Sequence, residues 1–376
     1  MRPLRIALVH PYSFPEVKRG GERYLHDLAW FLSNAGHRVE MITGTAGTSS
    51  TSLEGAAKHR RLRHLPNFGR LTRREIAEGE TFGARVYPVL LRRRFDIVHA
   101  LMPSAAIAAR LARQRTVYTQ IGHPTPELAA AHPTQARLLR KAVGMANVSA
   151  AYSEASAAAT QLLCGRRVIA LPPGVVLDRF PMEAAARTGP PRILFAAYAS
   201  NPEKGLGVLV RAFRILLGSM PDARLVVAGP GEAAWAFDAL DGDRERVMRQ
   251  VELLGPVPED EVTRLYRSCS VTTLPSTNEA FGIVLIESLA SGTPVVCSAA
   301  GGMPEIVDRP TIGRAVPYGD ADALAHALAE TIALARDPLT PRRCREHAGR
   351  WGWRERIGPL HEELYQGIVE GRRPAG

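Results

Sequence analysis

Ser276-Thr277-Asn278-Glu279-Ala280-Phe281-Gly282-Ile283-Val284-Leu285-Ile286-Glu287 is the stretch that decides how this chain reads. It follows a short β-rich run ending at Leu274-Pro275, so it reads as a strand, a polar loop and a helix starting near Phe281. The first N–H groups of a helix have no partner inside it, and the dipole favours negative charge there. Such a loop offers an anion site. Glu279 stands before the helix and Glu287 eight residues on; at ~3.6 residues per turn that spacing can direct both carboxylates to one side. A carboxylate repels phosphate but accepts hydrogen bonds from sugar hydroxyls. The segment therefore has the means to hold a phosphate on its backbone and hydroxyls on its acids.

Outward from this stretch, apolar runs of strand length alternate with helical segments along the chain. In the first half they lie at Ile6–Val9, Val39–Thr43, Ile97–Ala100, Thr116–Thr119 and Val148–Tyr152, short enough for strands buried in a parallel sheet. Between the first two, Tyr24, Leu25, Leu28, Leu32 and Ala35 recur at helical spacing and end at Gly36, a residue suited to a C-terminal cap. After Val168–Leu171 and the turn Pro172-Pro173-Gly174, a proline-rich stretch at 181–191 reads as a linker. The alternation restarts at Ile193–Ala197, Leu225–Gly229, Glu252–Leu254, Val271–Leu274 and Pro294–Cys297. Two successive α/β runs predict two doubly wound, Rossmann-like domains facing across a cleft. The expected boundaries are 1–183, 184–350, and a helical segment 351–376 packing back towards the N-terminal domain. Gly44–Ala57, rich in Thr, Ser and Gly, is expected to be a mobile loop.

Composition narrows the function classes. The 376 residues are 45% apolar and 23% charged, ordinary for a globular protein. No apolar run reaches the ~18 residues needed to cross a bilayer, and Ile6–Val9 is too short for a signal-peptide core. The expected location is therefore cytoplasmic. Cys164, Cys269, Cys297 and Cys344 are far apart and lack metal-ligand spacing, which fits buried packing residues in a reducing compartment. The net charge of +11 divides into +14 for residues 1–180 and −3 for the rest. Only four basic residues are Lys (18, 58, 141 and 204), so an Arg-rich composition explains much of the excess.

Downstream of Glu287 stand Gly292-Thr293-Pro294-Val295-Val296 and Gly301-Gly302-Met303-Pro304-Glu305. With Glu279 and Glu287 this ordered set resembles the donor-binding core of glycosyltransferase family 4, retaining enzymes of the GT-B fold. The resemblance implies a metal-independent, hexosyltransferase-type enzyme that needs no cofactor. It would move a sugar from a nucleoside diphosphate sugar to a hydroxyl of a sugar, lipid-linked or small-molecule acceptor. The N-terminal domain would bind the acceptor and the C-terminal domain the donor. By the same resemblance, Glu279 would lie at the donor sugar and Glu287 at the ribose hydroxyls. Backbone groups of Phe281, Gly282 and Ile283 would bind sugar hydroxyls or diphosphate, and Val257 would read the edge of the base. Gly20-Gly21, between the first strand and first helix, would meet diphosphate and acceptor; two glycines there let the backbone approach a ligand closely. His123, at the carboxyl end of a strand, fits the position of a His that contacts the donor sugar. Lys204, before Gly205, fits a Lys that meets the diphosphate. The sequence departs from the pattern at Tyr198, where relatives carry an Arg as the second half of a phosphate clamp. That departure leaves a catalytically silent binding relative open, alongside a pseudo-glycosyl transferase or sugar phosphate synthase.

Other features are set aside or left open. Asp241-Gly242-Asp243 resembles a metal-binding Asp-x-Asp but falls in a polar loop, and Asp320-Ala321-Asp322 reads as a helix cap. Gly229-Pro230-Gly231 lacks the third glycine of a dinucleotide fingerprint. No metal is expected. Residues 58–74 hold seven Lys or Arg among Leu62, Leu65, Phe68 and Leu71, which suits either a solvated loop or weak peripheral contact with an anionic membrane. No aromatic-interleaved basic motif points to nucleic acid. The sequence leaves the sugar, nucleobase, acceptor, pathway and oligomeric state unnamed.

Overall fold

Two stacks of short, branched, apolar strands set the architecture. The computed structural model describes residues 2–14, 16, 17, 19–64, 78–182 and 189–372. It divides into Met1–Gly174 with Trp353–Gly376, and Val175–Gly352. In the first unit the strands are β1 (Arg5–His10), β2 (Arg38–Thr45), β3 (Ser50–Glu54), β4 (Ala57–Arg63), β5 (Ile97–Ala100), β6 (Thr116–Gln120), β7 (Val148–Ala151) and β8 (Ile169–Ala170). Their order across the sheet is β3-β4-β2-β1-β5-β6-β7-β8. Every pairing is parallel except β3 with β4, which run antiparallel. The second unit holds β9 (Arg192–Phe195), β10 (Arg224–Ala228), β11 (Val251–Gly255), β12 (Val271–Leu274), β13 (Val295–Ser298) and β14 (Gly313–Val316). They form an all-parallel sheet in the order β11-β10-β9-β12-β13-β14.

Each sheet is covered by helices whose apolar stripes the sequence spells out. In the first unit, helix Gly20–Asn34 buries Tyr24, Leu25, Leu28 and Leu32, and Gly36 adopts φ +90° after the helix ends. The core there runs through Val9, Ile42, Phe82, Val98 and Tyr118. In the second, Phe195, Phe213, Leu225 and Phe237 are fully buried. A buried side chain of that size contributes ~2–3 kcal/mol of transfer free energy.

The C-terminal segment belongs to the first unit. Helix Gly358–Val369 lies close to Gly20–Asn34, since a Cβ on Gly358 would overlap the Phe31 ring. The seam is aromatic and polar together. Tyr24 Oη lies 2.6 Å from His361 Nε2, and His99 bridges Tyr365 Oη at 2.6 Å and Thr119 Oγ1 at 2.7 Å. His37 Nε2 adds a contact of 2.9 Å to Glu362.

Two expectations need correcting. Gly44–Ala57 is no mobile loop: its ends extend β2 and begin β4, and Ser50–Glu54 forms the edge strand β3. Its polar residues suit an edge strand that buries neither face. Strand β14 is also present where the sequence suggested only motif residues. Of the basic stretch 58–74, residues 58–63 lie in β4, and residues 65–74 fall outside the described residues, as do 183–188 of the expected linker. Among the described residues, no helix is long and apolar enough to cross a membrane.

Candidate functional site

In an open parallel sheet, ligands bind outside the carboxyl ends of the strands, where the order reverses direction. In the second unit that point is β9, flanked by β10 on one side and β12 on the other. The loops after β9 and β12 carry most of the residues that the sequence singles out.

These loops are tied together by backbone. The Glu203 carbonyl accepts from Thr277 N at 2.8 Å and from Ser276 Oγ at 2.8 Å. Gly205 has φ +80°, and a Cβ there would overlap the Pro275 carbonyl oxygen. Only glycine permits both the conformation and the approach. On the other flank, Gly302 N donates to the Glu279 carbonyl at 3.0 Å, and a Cβ on Gly301 would overlap that same oxygen. Ser298 Oγ donates to the Ser276 carbonyl. The backbone of 276–279 is thus held between the loop after β9 and the loop after β13.

Pinned in this way, Lys204 Nζ and Glu279 Oε2 meet at 2.6 Å, with the side chains 26% and 20% exposed. The sequence placed these residues in one site from motif alone; the structure joins them in one ion pair. Beside them, Asn278 Oδ1 is buried with no partner among the described residues. Gly282 (φ +100°) caps helix Ile283–Ala290, whose first turn lies half-buried at Ile283 and Val284. Phe281 is buried, its ring edge-on to Trp351 at 6.1 Å.

Glu287 is 8% exposed, and its Oε2 accepts from Tyr266 Oη at 2.9 Å. Sequence reasoning missed Tyr266. It lies 21 residues before Glu287 in helix Glu259–Ser268, and no local pattern links the two. Val257 is half-buried in the turn between β11 and that helix. Tyr198 is half-buried after β9, and its carbonyl accepts from Asn201 N at 3.2 Å. Arg192 sits at the opposite, amino end of β9, where it pairs with Glu252 at 2.8 Å. Gly229 and Gly231 face the backbone of Ala197 and the side chain of Ser200 at distances that admit no Cβ, so these glycines serve close packing of the loops. Asp320 accepts from Ala323 N at 2.8 Å as a helix cap. Asp243 lies 3.7 Å from Arg214. Among the described residues, no group of three or more His, Cys, Asp or Glu side chains is placed to hold a metal ion.

In the first unit the reversal falls at β1, between β2 and β5. Gly20 and Gly21 open the helix after β1, and a Cβ on Gly21 would come within 3.1 Å of Ile121 Cδ1 and 3.6 Å of His10 Nε2. His10 is 2% exposed, its Nδ1 3.0 Å from the Tyr12 carbonyl. Burial lowers its pKa to about 4, so its ring is neutral at physiological pH. Glu22 is 3% exposed, with Oε1 3.9 Å from His10 Nδ1. Burial raises the pKa of Glu22, while its own amide, the Arg19 charge and the Arg19 amide oppose the rise. His123 is half-buried after β6, with Nδ1 3.1 Å from Ser156 Oγ. Ser156, fully buried, is a second partner that sequence reasoning missed.

Comparison with known proteins assigns the sequence to family models. A model of glycosyltransferase family 4 matches residues 18–179, and a model of glycosyl transferases group 1 matches residues 190–333. Over 90% of its length the chain is 28% identical to a phosphatidyl-myo-inositol mannosyltransferase of Mycobacterium tuberculosis, of which it covers 90%. A sucrose-phosphate synthase from Thermosynechococcus elongatus aligns with 97% of this chain and 99% of its own, at a TM-score of 0.81 and 21% identity. An Anabaena protein solved in complex with UDP and glucose aligns with 97% of this chain and 99% of its own, at 0.69 and 18%. At these identities the solved structures establish the fold, which is GT-B.

Proposed function

Because the chain belongs to glycosyltransferase family 4, we propose that it is a retaining, metal-independent enzyme that moves a hexose from a nucleoside diphosphate sugar to an acceptor hydroxyl. The observation that carries this reading is the Lys204–Glu279 pair of 2.6 Å at the carboxyl ends of β9 and β12. A partly exposed ion pair contributes only ~0–1 kcal/mol to stability. Opening it for a substrate therefore costs little. Lys204 then gives its compact charge to the leaving diphosphate, and Glu279 accepts hydrogen bonds from the sugar hydroxyls.

The remaining roles follow from position. The amides of Phe281, Gly282 and Ile283, at a helix N-terminus, serve diphosphate or sugar oxygens. Glu287, braced by Tyr266, takes the ribose hydroxyls, and Val257 takes the edge of the base. Tyr198 borders the diphosphate. In the first unit, His123 serves the donor sugar, and Gly20 and Gly21 let the backbone approach the substrates. The bond from the anomeric carbon to the phosphate oxygen breaks, and the bond to the acceptor oxygen forms on the same face. The acceptor proton passes to the leaving diphosphate, so no protein nucleophile or cofactor is required. The acceptor is a sugar, a small polyol or a lipid-linked hydroxyl. Contact with a membrane surface belongs to the last of these.

Lys204→Ala tests the assignment. Turnover should fall about 10²- to 10³-fold, the usual effect of removing one group that stabilises developing charge. Its melting temperature should match that of the unaltered enzyme, and the unaltered enzyme should keep its activity in a chelator. Turnover that survives the substitution refutes the role of Lys204, and turnover abolished by the chelator refutes metal independence. One observation favours a second reading: a neutral phenol, Tyr198, stands where the family pattern has an Arg. A relative that binds nucleotide without transfer would bind the donor and give no product of new mass.

A further inference from the structure

The loop that carries Tyr198 and Lys204 is also held on its β10 side. Ala199 is 1% exposed, and both of its backbone groups bond to the chain that follows β10. Its N–H donates to the Pro230 carbonyl at 2.9 Å, and its carbonyl accepts from Trp235 Nε1 at 3.0 Å. A buried carbonyl that loses its donor keeps its desolvation penalty, so this bond resists opening. Trp235 lies in the helical turn Ala234–Asp243, with its ring packed against the core of the second unit. Gly207, the second residue of helix Leu206–Leu216, makes room for the indole: a Cβ there would come within 3.2 Å of Trp235 Cζ3. Gly207 is not among the glycines of positive φ, so space for the ring is what its missing side chain supplies. From Ala199 the chain reaches Lys204 through consecutive tight turns. Asn201 N donates to the Tyr198 carbonyl at 3.2 Å, Glu203 N to Asn201 Oδ1 at 3.0 Å, and Lys204 N to the Asn201 carbonyl at 3.0 Å. A shift at Ala199 is therefore passed on to Lys204, whose Nζ meets Glu279 at 2.6 Å.

We propose that Trp235 is a positioning residue for the donor site: its indole N–H fixes the Ala199 carbonyl, and through the turns that follow it fixes where Lys204 presents its charge. The inference rests on the function proposed above and deepens it. A group that stabilises charge on a leaving diphosphate works only at the correct distance, and a misplacement of about 1 Å is costly. Lys204 is a long, partly exposed side chain, so its aim depends on its backbone. That backbone is gripped at Gly205 by the Pro275 carbonyl and at Ala199 by Pro230 and Trp235. Trp235 acts through Lys204 and touches no substrate itself.

The test is a double-mutant cycle on the full-length chain: unaltered, Trp235→Phe, Lys204→Ala, and both together, each titrated calorimetrically with UDP, GDP, ADP and dTDP. Phe keeps an aromatic ring and removes the N–H. The nucleotide that the unaltered chain prefers should bind Trp235→Phe about three- to tenfold more weakly, the scale of one lost hydrogen bond. In the Lys204→Ala background the same substitution should change affinity less than about twofold, because a residue that acts through Lys204 has nothing left to position. An equal loss in both backgrounds, or no loss in either, would overturn the proposal. Gly207→Ala supplies a second variant that presses on the ring from the helix side. It should weaken nucleotide binding without lowering the melting temperature, since Ala is the better helix former; unchanged binding would count against the role of the indole. Hydrogen exchange reads the grip without any ligand: Trp235→Phe should speed exchange of the Ala199, Asn201 and Lys204 amides while β10 keeps its protection. Unchanged exchange at those three amides would overturn the proposal whatever the nucleotides do. The donor reading is judged separately, because it fails if Lys204→Ala alone keeps the nucleotide affinity of the unaltered chain.

Discussion

Both units place their reversal of strand order under a glycine-bearing loop and a helix N-terminus, yet the two edges differ in burial and charge. In the second unit, the glycines at 205 and 301 bring backbone against backbone, and the polar side chains they position are a half-buried Lys–Glu pair. In the first, Gly21 faces side chains only, and the groups around it are a buried carboxylate and a neutral imidazole. The comparison teaches that topology fixes where a ligand goes, while burial and charge decide which ligand it is. One edge holds a partly exposed ion pair of Lys204 and Glu279. The other buries Glu22 beside His10.

Acid should separate the two units most strongly. His10 and His361 are fully buried in the first unit, and burial lowers each pKa from 6.5 to about 4. His99 shifts the same way through burial and the neighbouring His361. A histidine with a lowered folded pKa contributes stability that is fully present above 6.5 and is lost as pH falls towards 4. At about 1.36 kcal/mol per pKa unit, His10 and His361 each account for roughly 3 kcal/mol. Glu22, shifted upward by burial, offsets part of this as it takes up a proton. In the second unit, a hydrogen bond from Arg309, above all, holds Asp308 far below the usual carboxylate range, so its contribution is lost only below 3.8. His347 in that unit is lowered by burial too, so part of its contribution is also lost on acidification. Hydrogen exchange between pH 6.5 and 4 should therefore show helices 20–34 and 358–369 losing protection before helices 206–216 and 283–290. The reverse order would break the comparison.

Backbone pinning gives the next effect. Gly205→Ala forces a Cβ onto the Pro275 carbonyl at φ +80° and should destabilise the second unit by about 3 kcal/mol. Gly21→Ala meets only the movable end of Ile121, and its effect should stay within about 1 kcal/mol. Urea titration of both variants measures the contrast, and equal losses would show that the two turns are held alike. Smallest is Tyr266→Phe, which removes the 2.9 Å bond to Glu287 without changing shape. Nucleotide affinity should fall about three- to tenfold, near the net worth of a hydrogen bond to a charged group.

What the sequence revealed follows the same physics. Helix Gly20–Asn34 and the strands buried on both faces carry their period in the chain, so they were legible. Motif order set Lys204 and Glu279 in one expected site, and the structure pairs them across two loops 75 residues apart. Tyr266 beside Glu287, Ser156 beside His123 and the environment of Glu22 were not, since each depends on packing between elements far apart in sequence. Strand β3 escaped because an exposed edge of Ser and Thr shows no hydrophobic period, and β4 because its buried residues include His59 among arginines.

The central claim is that the Lys204–Glu279 edge is a nucleotide-sugar site. Calorimetric titration of UDP, GDP, ADP and dTDP into the full chain and into Lys204→Ala tests it most directly. The account predicts that one nucleotide binds the unaltered chain and that its affinity falls at least tenfold in the variant, with the fold unchanged. If no nucleotide binds, or if the preferred one binds both proteins equally, the donor site is not where Lys204 and Glu279 meet.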